Sequence, residues 1–222
     1  MFSNTERKYE RLMDKVSDTL SVRTYNFVIG LQILYGFFVN AIIVATCGDI
    51  FIRVSPVAFI VGYFISAILG IGLSAHSSNA FISFIGYNLV VLPIGALLSI
   101  CLQGYSGFNV LSAMMMTGVT VGIMLLWAVI NPNFFLGMGR TLFFSLLVGI
   151  IVELVATLMG YHGAIFDWFF VIIFSLYIGY DWCKAQNYSK TLDNAVDSAL
   201  DIYLDIINLF IRILEIMSKK DD

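Results

Sequence analysis

Charged side chains are scarce in this 222-residue chain and missing from its centre. Asp, Glu, Lys and Arg make up 12% of the residues, about half the usual share for a soluble domain. None of the four occurs between Arg53 and Arg140. A water-soluble fold of this size could not cover its surface with so few polar residues. The scarcity therefore excludes a soluble globular protein and indicates a chain whose solvent is largely lipid.

Sequence features of enzymes, metal proteins and nucleic-acid-binding proteins are missing as well. The chain has no phosphate-binding glycine loop, no His-x-x-x-His pair and no Gly-x-Ser-x-Gly. Its three cysteines (Cys47, Cys101 and Cys183) lack metal-ligand spacing and are interpreted as small apolar fillers. The formal net charge of -3 argues against a nucleic-acid partner. We expect neither an enzyme nor a bound cofactor.

Long hydrophobic runs are abundant. Hydrophobic residues make up 59% of the chain, and a bilayer core of about 30 Å is crossed by about 20 helical residues. Six strongly apolar runs have suitable lengths, and a seventh segment is apolar but carries charges. The seven segments are 25–47, 56–75, 80–103, 108–130, 141–159, 164–180 and 195–217. Short connections between them predict antiparallel neighbours in one helical bundle.

The predicted fold is therefore an all-α membrane protein, with residues 24–217 forming a single transmembrane domain. Residues 1–23 are predicted to be a cytoplasmic N-terminal segment, and residues 218–222 a C-terminal tail. The N-terminus is polar, so we expect no cleavable signal peptide and insertion through the first span. We expect a multi-pass protein of the cell membrane that acts as a monomer or a weak oligomer.

Lysine and arginine positions predict the orientation. With the N-terminus inside, the cytoplasmic side carries most of the basic residues and the opposite side only Arg53. The cytoplasmic set is Arg7, Lys8, Arg11, Lys15, Arg23, Arg140, Lys184 and Lys190. Lys219 and Lys220 also favour the inside, which conflicts with a full seventh span. The topology of the last segment therefore stays open at this point.

A polar stripe runs along the last segment. At about 100° per residue its members share one helix face. They are Asp193, Asp197, Asp201, Asp205, Asn208, Arg212 and Glu215. An amphipathic helix in the membrane interface is one interpretation, but anionic lipid headgroups would repel an acidic face. We favour a helix in the bundle interior, whose stripe lines a water-filled path.

Two further carboxylates lie in or beside the spans. Asp181 is predicted to close the sixth span, from which a short linker could bring it opposite the acidic stripe. Two carboxylates a few ångströms apart in a low dielectric share a proton and can act as a pH-sensitive latch. Glu153 lies inside the fifth span, where a carboxylate is costly and suggests a functional site. The alternative for Glu153 is a protonated side chain that only bonds a neighbouring helix.

Three stretches resemble a known family. The C-terminal stretch 198–214, SALDIYLDIINLFIRIL, is similar to the signature of the Bax inhibitor-1 family. The stretch 174–181, FSLYIGYD, is similar to the end of its sixth helix, and 109–120 is a weaker match. The resemblance implies seven transmembrane helices with the last at the centre, and a pH-sensitive calcium leak. It also implies that Asp181 and Asp205 form the pH sensor and contact calcium transiently.

One feature departs from that family. Bacterial relatives often carry a basic cluster after the second helix, whose arginine pairs with the sensor. Residues 76–79 are His-Ser-Ser-Asn here, with neither Arg nor Lys. Either His76 or Arg212 substitutes for the missing arginine, or the closed state lacks that latch.

The leading functional hypothesis is a calcium leak channel, because a hard cation needs oxygen ligands. Asp201, Glu153, Asn208 and Asp197 are its predicted ion pathway, with calcium and lipid as its partners. A proton-coupled transporter that uses Glu153 is one alternative, although no internal repeat is evident. An intramembrane aspartyl protease is another, but its Gly-x-Gly-Asp and Pro-Ala-Leu motifs are absent. A regulatory partner of a larger membrane complex is the last.

Overall fold

The computed structural model describes residues 19–51, 54–161 and 163–219. Eight α-helices and one turn of 3-10 helix, Leu102–Gly104, fill these ranges. The helices are α1 Val22–Phe51, α2 Pro56–His76, α3 Ala80–Cys101, α4 Gly107–Ile130, α5 Pro132–Gly137, α6 Gly139–Leu158, α7 Ala164–Asn187 and α8 Leu192–Ser218. Most of the predicted N-terminal segment (1–18), Arg53 and the end of the tail (220–222) lie outside the described residues.

Six helices are long and apolar enough to cross a membrane: α1, α2, α3, α4, α6 and α7. Their outer faces expose large apolar side chains, such as Phe108 at 77% and Leu158 at 79%. Such an apolar surface is unfavourable in water, whereas it is favourable in contact with the hydrocarbon of a bilayer. The chain is an all-helical, multi-pass membrane protein, as its composition predicts.

Polar side chains cap several helices at their N-termini. Asn79 accepts a hydrogen bond from the Phe81 amide at 2.9 Å before α3. Thr191 accepts one from the Asn194 amide at 3.2 Å before α8. Each contact satisfies a backbone N–H that has no partner within its own helix. The polar breaks in the sequence therefore coincide with these helix starts.

Several predicted boundaries were wrong, among them the end of the first span, since α1 continues to Phe51 instead of ending at residue 47. The sixth span was expected to end at residue 180, followed by a polar linker, yet α7 continues to Asn187. Asp181 is therefore inside a helix, because no Gly or Pro follows it to stop the helix. The break after residue 130 holds the short helix α5, and α6 begins at Gly139 rather than at residue 141.

The last helix, α8, lies in the interior of the bundle. Fifteen of its residues are buried, whereas α2 buries only Gly70 and Ser74. α8 packs against α1, α3, α4 and α7. A helix lying flat in the membrane interface could not be covered on so many sides. The structure therefore agrees with the interpretation of the last segment as a helix in the bundle interior.

The bundle has two ends, which we name from α8. At the proximal end, where α8 begins, the Leu20 amide donates to the Lys190 carbonyl at 2.6 Å. At the distal end, where α8 ends, Lys219 Nζ lies 2.7 Å from Asp167 Oδ2 in the first turn of α7. α7 and α8 therefore run antiparallel over the height of the bundle.

Helices α2 and α3 cross closely at a pair of glycines. A Cβ on Gly86 would lie 2.6 Å from the Gly70 carbonyl oxygen, and a Cβ on Gly70 would lie 2.6 Å from the Gly86 carbonyl oxygen. These distances leave no room for a methyl group on either helix. Small residues that let helix backbones approach are a frequent packing device in membranes.

We predict that Gly86→Ala destabilises the protein by about 1–3 kcal/mol, because the new methyl forces α2 and α3 apart. Gly72→Ala is the matched control, since a Cβ on Gly72 has no neighbour within 4 Å. The measurement is the melting temperature of the purified protein in detergent. Equal melting temperatures for the two variants would contradict the tight crossing.

Candidate functional site

A cavity of about 330 Å³ lies between α6, α7 and α8, nearer the proximal end. Three of its lining residues come from α6, four from α7 and three from α8. They are Gly139, Phe143, Leu146, Tyr177, Tyr180, Asp181, Lys184, Asp201, Leu204 and Asp205. Such a volume holds several water molecules, and its polar groups are concentrated on α7 and α8.

The carboxyl groups of Asp181 and Asp205 meet at this cavity. They lie within hydrogen-bonding reach of each other, and each residue is only 8% exposed. Asp205 Oδ2 has no hydrogen-bond donor among the described residues. A single proton held between the two groups would give that oxygen a partner, whereas two ionised carboxylates would repel each other. The arrangement is suited to holding one proton.

Lys184 provides the positive charge at the site. Its Nζ lies 2.8 Å from Asp201 Oδ2 and 3.4 Å from Asp181 Oδ1. The Lys184 side chain is 32% exposed and that of Asp201 is 41% exposed. Both side chains are therefore more exposed than those of Asp181 and Asp205. One ammonium faces three carboxyl groups, and full ionisation would leave a net negative charge.

The two candidate latch residues lie away from the pair. His76 Nδ1 is 2.9 Å from the Gly72 carbonyl oxygen of its own helix, and the residue is exposed. Arg212 lies toward the distal end, where it binds Glu153 and Asp167. Lys184 therefore lies beside the aspartates, in the position for which His76 and Arg212 are the candidates from sequence.

The predicted ion-pathway residues are spread along α8 and beyond. Asp201 lines the cavity. Asp197, one turn nearer the proximal end, accepts a hydrogen bond from the Ser74 hydroxyl of α2. Asn208 donates to its own backbone at Leu204, 2.8 Å away. Glu153 does not reach the cavity, because both its oxygens bind Arg212 at the distal end.

Sequence reasoning missed Lys184 and Asp167 as functional candidates. Lys184 follows Asp181 by three residues, a spacing that brings two side chains together on a helix. The predicted end of the helix at residue 180 concealed this relation. Asp167 stood within an apolar run, and its position in the first turn of a span was the available signal.

In the part of the chain that the structure describes, no three His, Cys, Asp or Glu side chains are arranged as metal ligands. The transient contact of calcium with Asp181 and Asp205 stays a prediction.

Comparison with known proteins identifies the family. The sequence model of the family described as inhibitor of apoptosis-promoting Bax1 matches residues 18–222. The chain belongs to this family. The matched region contains all eight helices and both aspartates of the cavity.

Two relatives of this chain come from Helicobacter pylori, and both are named only as uncharacterized proteins. One, from strain 26695, is 29% identical over 214 residues, which cover 88% of this chain and 89% of the relative. The other, from strain J99, is 34% identical over 149 residues, or 66% of this chain and 61% of the relative. The chain therefore spans less than two thirds of the second relative.

We predict that Lys184→Met destabilises the protein by about 1–2 kcal/mol at about pH 8, because the carboxylates lose their counter-charge. At about pH 5 the loss should be smaller, since protonation of the Asp181–Asp205 pair removes charge that Lys184 balances. Melting temperatures at both pH values test this, with Lys184→Arg as the charge-keeping control. A loss that does not change with pH would show that Lys184 contributes packing only.

Proposed function

We propose that the protein is a pH-sensitive leak channel for calcium or a similar cation, gated by Asp181 and Asp205. The observation that carries the proposal is a buried pair of carboxyl groups facing a cavity, with one oxygen lacking a donor among the described residues. Membership of the Bax1-inhibitor family supports a multi-pass membrane role. Calcium permeation and aspartate gating are our inference from the site.

Gating follows from the charge of the pair. With one shared proton, Asp181 and Asp205 are joined by a hydrogen bond, which ties α7 to α8. Without the shared proton, two negative charges repel each other across the interface of α7 and α8 in a low dielectric. The bond and the charge change together, so the helix contact and the attraction for cations both depend on pH.

Permeation would use carboxylate oxygens along α8. Asp197 and Asp201 lead from the proximal end toward the pair, and Asn208 lies one turn beyond it. Carboxylate and amide oxygens suit a hard cation such as calcium. We propose that the channel acts as a monomer or a weak oligomer.

The structure argues against Glu153 as the proton carrier of a transporter. Both Glu153 oxygens lie 2.6–2.7 Å from Arg212 nitrogens. Such a two-point ion pair holds the side chain of Glu153 in a fixed orientation. A group that must gain and lose a proton in each transport cycle would work against that pairing.

We further propose that α8 is a seventh span, with the N-terminus in the cytoplasm of a cell membrane. Its 27 residues extend about 40 Å at 1.5 Å per residue. It runs antiparallel to the apolar helix α7 from one end of the bundle to the other. Most acidic groups of its polar stripe have a hydrogen-bond or ion-pair partner on another helix, which makes an interior span tolerable.

Calcium entry into liposomes tests the channel. Purified protein is reconstituted around a trapped calcium dye, and influx is followed across a series of pH values. We expect influx in the wild type, and a flattened pH dependence in Asp181→Asn and Asp205→Asn, because an amide cannot gain or lose the proton. No influx beyond that of empty liposomes at any pH would refute the channel.

Asp193→Asn is the matched control for these two variants. Asp193 lies on α8, as Asp205 does. It accepts a hydrogen bond from the Ser83 hydroxyl at 2.7 Å and does not line the cavity. The amide oxygen of Asn can accept the same bond. We expect the pH dependence of this control to match that of the wild type; equal flattening in all three variants would refute the special role of the pair.

Labelling of the termini tests the seventh span. Single cysteines at Ser3 and Ser218, in a background without the three native cysteines, are treated in intact cells with a membrane-impermeant maleimide. Seven spans with a cytoplasmic N-terminus predict labelling at position 218 only. Labelling of both positions or of neither in intact cells, with both reacting after permeabilisation, would mean an even number of spans.

A further inference from the structure

A second group of charges lies at the distal end, away from the aspartate pair. We call it the distal cluster. It joins the last turns of α8 to α6 and α7 through three acids and two bases. Its members are Glu153, Asp167, Arg212, Glu215 and Lys219.

Arg212 is the hub of the distal cluster. Its Nη1 and Nη2 lie 2.6 and 2.7 Å from the two oxygens of Glu153. Nη1 also lies 3.1 Å from Asp167 Oδ1 and 3.3 Å from Glu215 Oε2. The guanidinium stacks on the Phe170 ring, 4.4 Å from its centroid. One cation thus ties three helices together.

Burial makes these contacts costly to lose. The Asp167 side chain is 4% exposed and that of Arg212 is 21% exposed. Removing one partner of a buried ion pair leaves the other charge without compensation, which is more costly than never having the pair. Such a network holds its helices in one arrangement more than it adds net stability.

The distal cluster and the aspartate cavity involve the same three helices. The cavity is lined by α6, α7 and α8, and Leu146 is its most distal lining residue on α6. Glu153 lies seven residues further along α6, about 10 Å at the rise of an α-helix. The distal cluster therefore lies beyond the cavity, on the same three helices.

We propose that the distal cluster is a second gate, in series with the aspartate pair, and that Arg212 is its plug. This rests on the channel proposed above. A cation that leaves the cavity between these helices meets a guanidinium held across its route by Glu153 and Asp167. Like charge repels the cation, so passage requires Arg212 to release Glu153 and swing aside.

The α6 arm is the weak side of this gate. α6 buries only Leu142 and Gly149, and its main packing partner is α7. The ion pair of Glu153 with Arg212 is thus a contact that fastens the distal half of α6 to α8. Loss of the Glu153 charge should free Arg212 on this side while Asp167 and Glu215 still compensate it.

Calcium influx into liposomes tests the gate through Glu153→Gln. For two independent gates in series the open probabilities multiply. Loss of one charge-assisted hydrogen-bonded pair should then raise influx about tenfold at every pH, with the midpoint of the pH dependence unchanged. Glu153→Asp is the matched control: it keeps the charge and should stay nearer to the wild type.

The outcome that overturns the gate is a folded Glu153→Gln protein whose influx is equal to or lower than that of the wild type. A shifted pH midpoint with no rise in influx would also overturn it, because the distal cluster would then act through the pair. A purely structural role predicts a lower melting temperature without faster influx.

A distance measurement separates this proposal from the channel itself. Spin labels at Leu158 and Ser218, at the distal ends of α6 and α8, report the separation of these helices without any transport. We expect a longer or broader distance distribution in Glu153→Gln than in the wild type. If wild-type liposomes admit no calcium, the channel fails while this distance still tests the tie; an unchanged distribution would overturn it.

Discussion

The enclosure of an acidic helix within a bundle surrounded by lipid is the constraint on which the rest of this structure depends. Hydrocarbon offers no hydrogen bonds and little charge solvation, so each acidic group of α8 needs a partner. Neighbouring helices supply most of these partners. They pair Asp193 with Ser83, Asp197 with Ser74, Asp201 with Lys184 and Asp205 with Asp181, whereas Glu215 pairs with Arg212 of α8 itself.

These partners divide α8 into regions with different chemistry. Serine hydroxyls near the proximal end donate without adding charge, so they hold the helix without a titrating partner. At the cavity, Asp181 meets Asp205 with Lys184 nearby, and we propose that this contact depends on a proton. At the distal end Arg212 and Lys219 balance the acids directly. A rigid helix that is tied differently at its two ends can respond to protons at one end while the other end sets a separate barrier.

The family match and the aspartate site support different conclusions about the protein. The match over residues 18–222 establishes the family and a multi-pass membrane protein. The two Helicobacter pylori relatives carry no functional name, so they add breadth but no activity. The proposal of a gated leak rests instead on the chemistry of one cavity: oxygen ligands, a proton-sensitive pair and a counter-charge.

The sequence by itself determined the membrane class and the six apolar spans, because span length and charge scarcity are local properties that lipid dictates. The helical spacing of Asp201 and Asp205 also follows from sequence, but it could not tell which of them meets Asp181. Only the tertiary structure decided that, together with the role of Lys184 and the capture of Glu153 and Arg212 by each other. These contacts depend on how helices distant in sequence rotate and cross, and no local pattern encodes that packing.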